Sequence, residues 1–258
     1  MKIQRVRSRG WLFTFDDIEN TFTNVYVIQG KHHYFICDTY LGPKPMEKIK
    51  KHLYKEAKKL PFIVFNSHYH WDHIWGNCAF EDSLIIGQAS IVNMIHMYSE
   101  SELTRFKKYQ QGKVTILPPS IVFKYFLAFP DEKITIFKSP GHTFDSASLY
   151  DVFDKVLYAG DNIEDPIPYL ENTDFEPYLQ TIQRYENLDF KVIIPGHMTK
   201  PDELPTKKIL KSNAKYIKAI YDKDNLSTYQ RKKYRDIHRE NLISLEKLGY
   251  VPFEGESI

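Results

Sequence analysis

Short apolar runs separated by turn-forming residues dominate the first 40 positions. Residues 11–15, 25–29 and 33–37 read as strands divided by Asp, Asn, Gly and Lys. The period then changes. Met46, Ile49, Leu53, Ala57 and Leu60 recur at spacings of three and four with lysines between them, which predicts a helix over 44–60. Residues 62–65, Phe-Ile-Val-Phe, carry no polar interruption and read as a buried strand, and residues 84–87 repeat that signal. Residues 88–110 read as helix, 114–129 as an apolar stretch broken by Pro118-Pro119 and Lys124, and 134–137, 147–150 and 156–158 as strands. A helix over 175–188 precedes a strand at 192–194, and from about residue 206 onward the pattern is helical.

Four of these short strands share an ending. Residues 62–65 lead through Asn66-Ser67 to His68, and 134–137 lead through Lys138-Ser139-Pro140-Gly141 to His142. Residues 156–158 lead through Ala159-Gly160 to Asp161, and 192–194 through Pro195-Gly196 to His197. Loops at strand ends tolerate polar groups that a core rejects. Gly141, Gly160 and Gly196 permit the bends that aim such groups at one point. The densest cluster is His68-Tyr69-His70-Trp71-Asp72-His73, an H-x-H-x-D-H string. In extended chain, residues two apart face the same way, so His68 and His70 can reach one metal. Asp72 and His73 stand where a short helix over 74–80 begins, and Asp72 is placed to cap it as well as to bind a metal.

Composition narrows the field. The 258 residues are 42% apolar and 26% charged, with a net charge of +2, so the chain is a folding sequence and not a disordered one. No apolar run approaches the roughly 18 residues that span a bilayer, and no membrane association is expected. The neutral balance gives no reason to expect nucleic acid as a partner. It hides a split: residues 206–258 hold 12 basic and 7 acidic residues, a local +5, which leaves −3 on residues 1–205. Cys37 and Cys78 form no CxxC, and the basic start lacks the apolar stretch of a secretory signal, so a cytoplasmic protein with reduced thiols is expected. Residues 121–129 are apolar enough for core, for a lid, or for a contact in a homo-oligomer.

The H-x-H-x-D-H string followed by a later His, an Asp and a final His resembles the metallo-β-lactamase-fold superfamily. The order of motifs matches over about residues 10–200. The resemblance implies an α+β fold, a four-layer αββα sandwich with metals at the open edge of two sheets. It assigns residues 1–205 to the catalytic domain and 206–258 to a helical C-terminal extension. It implies that His68, His70 and His142 form one metal site, that Asp72, His73 and His197 form another, and that Asp161 bridges them. Asp38, at the end of the strand over 33–37, would support the site by orienting a His or the Asp loop. Asp161 in place of Cys separates the chain from thiolate-using β-lactamases, and His70 in place of Glu from oxygen-reducing di-iron members. The chain looks most similar to glyoxalase II-like and lactonase-like hydrolases. It departs from the family at Asp145, where Gly is usual, which bears on the local turn.

Histidine nitrogen and carboxylate oxygen suit two Zn²⁺, and Fe²⁺ or Mn²⁺ accept the same donors. Such a pair lowers the pKa of a shared water and makes a nucleophile, so no serine or cysteine is required. Asp72 and Asp161 are the candidate catalytic carboxylates. Tyr69, Trp71, Trp75 and Phe144 flank the cluster and are candidate walls for a small-molecule substrate. The resulting expectation is a dinuclear hydrolase of thioesters, esters or lactones. A mononuclear iron persulfide dioxygenase-like enzyme and a phosphodiesterase or nuclease are the alternatives on the same fold.

Overall fold

Apolar runs without polar interruption need cover on both faces, and two stacked sheets between helical layers supply it. The protein is described from a computed structural model covering residues 1–250. The first sheet runs β1 (Lys2–Val6), β2 (Gly10–Phe15), β3 (Phe22–Gln29), β4 (Tyr34–Cys37), β5 (Phe62–Phe65), β6 (Leu84–Gln88) and β7 (Ile121–Phe123) in that order. It is antiparallel through β4 and parallel beyond. The second sheet orders β12 (Val192–Pro195), β11 (Val156–Gly160), β10 (Ala147–Asp151), β9 (Ile134–Lys138) and β8 (Phe126–Phe129). The two-residue β13 (His197–Met198) returns to the first sheet and pairs with β3.

Strand alternation sorts side chains into three cores. On β4, Phe35 and Cys37 point between the sheets, with Phe65, Ile136, Leu149 and Tyr158. Tyr34 and Ile36 point outward, onto the Met46, Ile49 and Leu53 face of α1 (Pro43–Glu56) and onto Ile91 and Ile95 of α3 (Ile91–Arg105). On the far side, Leu157 and Ile193 meet Tyr178, Ile182 and Tyr185 of α4 (Phe175–Asn187), together with Leu210, Ile217 and Ile220 of α5 (Lys208–Asp222) and Leu245 of α6 (Arg235–Lys247). The result is the αββα sandwich, with the C-terminal helices in its outer layer. Residues 251–258 of the expected helical extension lie outside the described residues. Among the described residues no helix is long and apolar enough to cross a membrane.

Several elements differ from expectation. Strand β1 is an edge strand with a largely exposed pattern, so its charged alternation gives no apolar signal. Helix α1 stops at Glu56, because the chain turns extended at Ala57 and Pro61 disfavours helix at Leu60. Helix α3 starts only after Gln88 has closed β6, and the Gln88 side chain accepts the Ser90 N–H at 2.7 Å. The stretch 121–129 serves two sheets and is not a continuous core: Phe123 is buried, whereas Val122, Tyr125 and Phe126 are exposed.

Candidate metal centre

The four strand endings meet at one edge of the sandwich. Two backbone features hold them close. Gly160 has φ +56, a left-handed conformation, and a Cβ there would lie 2.9 Å from the Ser67 side chain. Gly196 has an ordinary φ, but a Cβ there would strike Asp161 Oδ1 and lie 2.9 Å from the His73 ring. Asn24 on β3 closes the edge: it donates from Nδ2 to the Pro195 carbonyl at 3.0 Å and from its backbone N–H to Gly196 at 2.8 Å.

The seven side chains read from the sequence come together in two groups. His68, His70, His142 and Asp161 form one, and Asp72, His73 and His197 the other; within each, the donor atoms lie within 4.8 Å of one another. Asp161 Oδ2 lies 3.6 Å from His68, 3.8 Å from His142, 3.2 Å from His73 and 3.4 Å from His197, measured to Nε2. It therefore faces both groups. The α2 turn (Trp71–Ile74) begins at Trp71, with His70 at its cap position and no side-chain cap bond. Asp72 thus sits in the first turn and does not cap a helix over 74–80; that segment is a 3₁₀ helix, Trp75–Phe80.

Hydrogen-bond partners decide where the imidazole protons sit. His73 Nδ1 donates to Asp38 Oδ2 at 2.8 Å. Ser67 Oγ donates to the same carboxylate oxygen at 2.7 Å, so it accepts from His68 Nδ1 at 3.0 Å. His142 Nδ1 donates to the Tyr169 carbonyl at 3.1 Å. His70 Nε2 donates to Glu171 Oε2 at 3.1 Å. The opposite nitrogens are then bare and turn inward. His68 Nε2 and His70 Nδ1 lie 2.9 Å apart, and His142 Nε2 lies 3.2 Å from His70 Nδ1. Nitrogens facing at that range need a cation among them, either a proton on His70 Nδ1 or a metal ion. Asp161 Oδ1 is buried without a hydrogen-bond partner. The donor set fits divalent metal ions.

The electrostatics agree. Burial pulls His197 down, but Asp161 and Asp72 outweigh it and raise it to about 10. Burial likewise opposes the rise of His70 to about 9, which Glu171 drives. Burial keeps His68 well below the ordinary imidazole value. Burial would raise Asp161, yet the surrounding imidazoles hold it well below the ordinary carboxylate range. The site demands positive charge, whether as protons or as metal ions.

Asp38 is the anchor behind it. Its carboxylate takes His73 Nδ1, the Ser67 N–H (2.7 Å) and hydroxyl, and the Tyr158 hydroxyl (2.6 Å). A cleft of about 350 Å³ opens over the two groups. Of the four aromatic candidates, Trp71 lines it, with its ring stacked on Phe106 at 4.3 Å between centroids. The expectation for the other three is corrected. Trp75 is fully buried in the core under α1, because its ring points away from the ligands. Tyr69 packs between His70 and Tyr98, outside the cleft wall. Phe144 is exposed, with Lys138 over its ring. Asp145 is fully buried, and burial raises its carboxyl to about 6.

Glu164, Tyr169 and Glu171 line the cleft and have no counterpart in the expected set. They sit in an irregular loop, and no periodicity or spacing marks them. Glu164 is buried, and burial followed by the Asp161 charge raises it to about 8.

Residues 18–197 match the model of the Metallo-beta-lactamase superfamily. The chain belongs to that superfamily. All seven side chains fall inside the matched span, and α5 and α6 lie beyond it. The human protein named acyl-coenzyme A thioesterase MBLAC2 is 22% identical over 204 residues, 67% of this chain and 72% of that protein; the Bos taurus protein of the same name is 23% identical over the same shares. Among solved structures, a metallo-beta-lactamase from Pontibacter korlensis superposes with a TM-score of 0.68 at 18% identity, covering 84% of this chain and 98% of that one. One from Hirschia baltica gives 0.65 at 16% identity, covering 84% and 96%. At these identities the structural likeness speaks for the superfamily fold.

Proposed function

We propose that the protein is a dinuclear zinc hydrolase that cleaves a thioester or an ester, lactones included. The observation that carries this reading is the position of Asp161 Oδ2, within 3.2–3.8 Å of four imidazole nitrogens drawn from both groups. When bound, two divalent ions supply a water of lowered pKa and an electrophile for the carbonyl oxygen. The rest is done by the chain. Asp38 and Glu171 fix the proton positions of His73 and His70, so these rings are ready without rearrangement. Trp71 gives the cleft an apolar wall. Glu164 borders the cleft, where burial and then the Asp161 charge raise its carboxyl.

Lining composition narrows the substrate. Glu19, Glu164, Glu171 and Glu240 border the cleft, and among the described residues no lysine or arginine does. Such a wall disfavours a polyanionic nucleic-acid backbone. The curated relatives carry a thioesterase name, which supports the thioester arm of the reading.

The test is metal analysis joined to a hydrolysis panel of thioesters, lactones, β-lactams and phosphodiesters, with Asp161→Asn as the blank. Two zinc ions per chain and thioester or lactone turnover are expected. The variant should keep its fold and lose about 100-fold or more of the activity. Well under one metal per chain in the wild-type protein would overturn the reading.

A further inference from the structure

We propose that the C-terminal helices α5 and α6 set the metal-facing nitrogens of the first group, through two buried asparagines that clamp the loop between β11 and α4. The inference rests on the metal-centre reading above. It concerns positioning residues, which act on the metal site through His142 and His70.

Asn213 on α5 is fully buried and brackets one residue. Its Oδ1 accepts the Glu164 N–H at 3.0 Å, and its Nδ2 donates to the Glu164 carbonyl at 2.8 Å. Asn241 on α6 is 1% exposed and brackets Tyr169. Its Nδ2 donates to the Pro168 carbonyl at 2.8 Å, and its Oδ1 accepts the Leu170 N–H at 2.8 Å. The second Nδ2 proton goes to the Tyr216 hydroxyl of α5 at 2.9 Å, which ties the two helices together. The Tyr169 N–H donates to Glu164 Oε2 at 2.7 Å. The Tyr169 carbonyl then accepts from His142 Nδ1.

All four polar groups in the two peptide planes around Tyr169 therefore have partners, and Asn241 supplies two of them. A peptide plane held on one side presents its other side at a fixed angle. Here that other side is the acceptor which keeps the proton on His142 Nδ1 and leaves Nε2 bare. Two residues further along the same loop, Glu171 does this for His70. Two of the three histidines of the first group thus take their proton positions from one clamped loop.

The second group is held differently. His73 is set by Asp38, and His197 Nδ1 lies 3.2 Å from Thr23 Oγ1 on β3, so both depend on the first sheet. The clamp consequently predicts an asymmetry. Loosening the loop should weaken one metal position and spare the other.

The experiment uses full-length protein loaded with Zn²⁺ and titrated with a chelator, for wild type, Asn241→Leu and Glu171→Leu. Each variant is expected to release one zinc at about 10–100-fold lower chelator concentration while the second is retained. Glu171→Gln, which keeps an acceptor, should restore most of the loss. Asn241→Asp, of the same shape but without the donors, serves where the leucine variant fails to fold. An independent readout is the imidazole ¹⁵N spectrum of metal-free protein. His142 should be a single Nδ1–H tautomer in wild type and a mixture in Asn241→Leu. Loss of both zinc ions together, or an unchanged tautomer with unchanged zinc retention, overturns the clamp. Wild-type protein that takes up no zinc, yet shows the tautomer difference, overturns the metal-centre reading and leaves the clamp standing.

Discussion

Gly196 shows how little room a residue at the centre has. Its φ is ordinary, so the need for glycine is set by its neighbours: a methyl group at this position would press on Asp161 Oδ1 and the His73 ring. Gly196→Ala should therefore fold, displace the one carboxylate that faces both groups, and lower hydrolysis by about 10–100-fold through loss of metal. Circular dichroism beside metal analysis checks this, and a fully loaded, fully active variant would contradict it. The seven converging side chains were legible because four of them follow buried strands at turn-forming residues, and the other three stand within five residues of the first, in the H-x-H-x-D-H string. Glu171 and Tyr169 were not, because their partners His70 and His142 lie far away in sequence and the loop that carries them has no period to read. Trp75 misled because adjacency in sequence is not adjacency in space. On the turn after Asp72 its ring falls on the face that packs under α1.

At the scale of elements, strands with two covered faces announced themselves and edges did not. The run 121–129 reads as one apolar stretch, yet β7 ends the first sheet and β8 begins the second, with Lys124 and Tyr125 making the crossing. A break between sheets has no signature when both sides are apolar. Similar long-range ties hold the turns. Glu132, buried just before β9, accepts the N–H groups of Lys31 and His32 and pairs with His33 Nδ1 at 2.9 Å, so it locks the β3–β4 turn. Burial would raise this carboxyl, but the His33 and backbone bonds outweigh it and lower its pKa. The folded state thus favours the ionised form. Its stabilisation is present above the ordinary Glu value of about 4.3 and is lost as pH falls through the lowered folded value. Glu132→Leu should cost about 1–3 kcal/mol at pH 7 by removing the charge-assisted hydrogen bonds that hold Lys31, His32 and His33. The gap between variant and wild type should shrink below about pH 4. Urea unfolding at the two pH values measures this, and a gap that widens in acid would refute the assignment.

At the scale of the molecule, the question is whether residues 206–258 are an appendage. The charge split between −3 and +5 reads as an appended helical segment, and the sequence pattern shows only helices there. The packing argues otherwise. Leu210, Tyr216, Ile217, Ile220 and Leu245 are fully buried in one core with α4 and the outer face of the second sheet. Burying such side chains contributes about 1.5–3 kcal/mol each, so the four aliphatic ones alone are worth about 6–12 kcal/mol. That is comparable to the whole stability of an ordinary domain, about 5–15 kcal/mol. A chain ending at residue 205 would also leave the backbone groups of Glu164, Pro168 and Leu170 without their asparagine partners. We predict that residues 1–205 alone do not reach the native state and expose apolar surface, seen as dye binding and loss of near-UV circular dichroism. Cooperative unfolding of that fragment near the melting temperature of the full chain would show the opposite, a catalytic domain that carries its helices without needing them. The basic residues on α5 and α6 then read as the solvated side of helices whose other side is core, while Glu240 of α6 adds to the acidic border of the cleft.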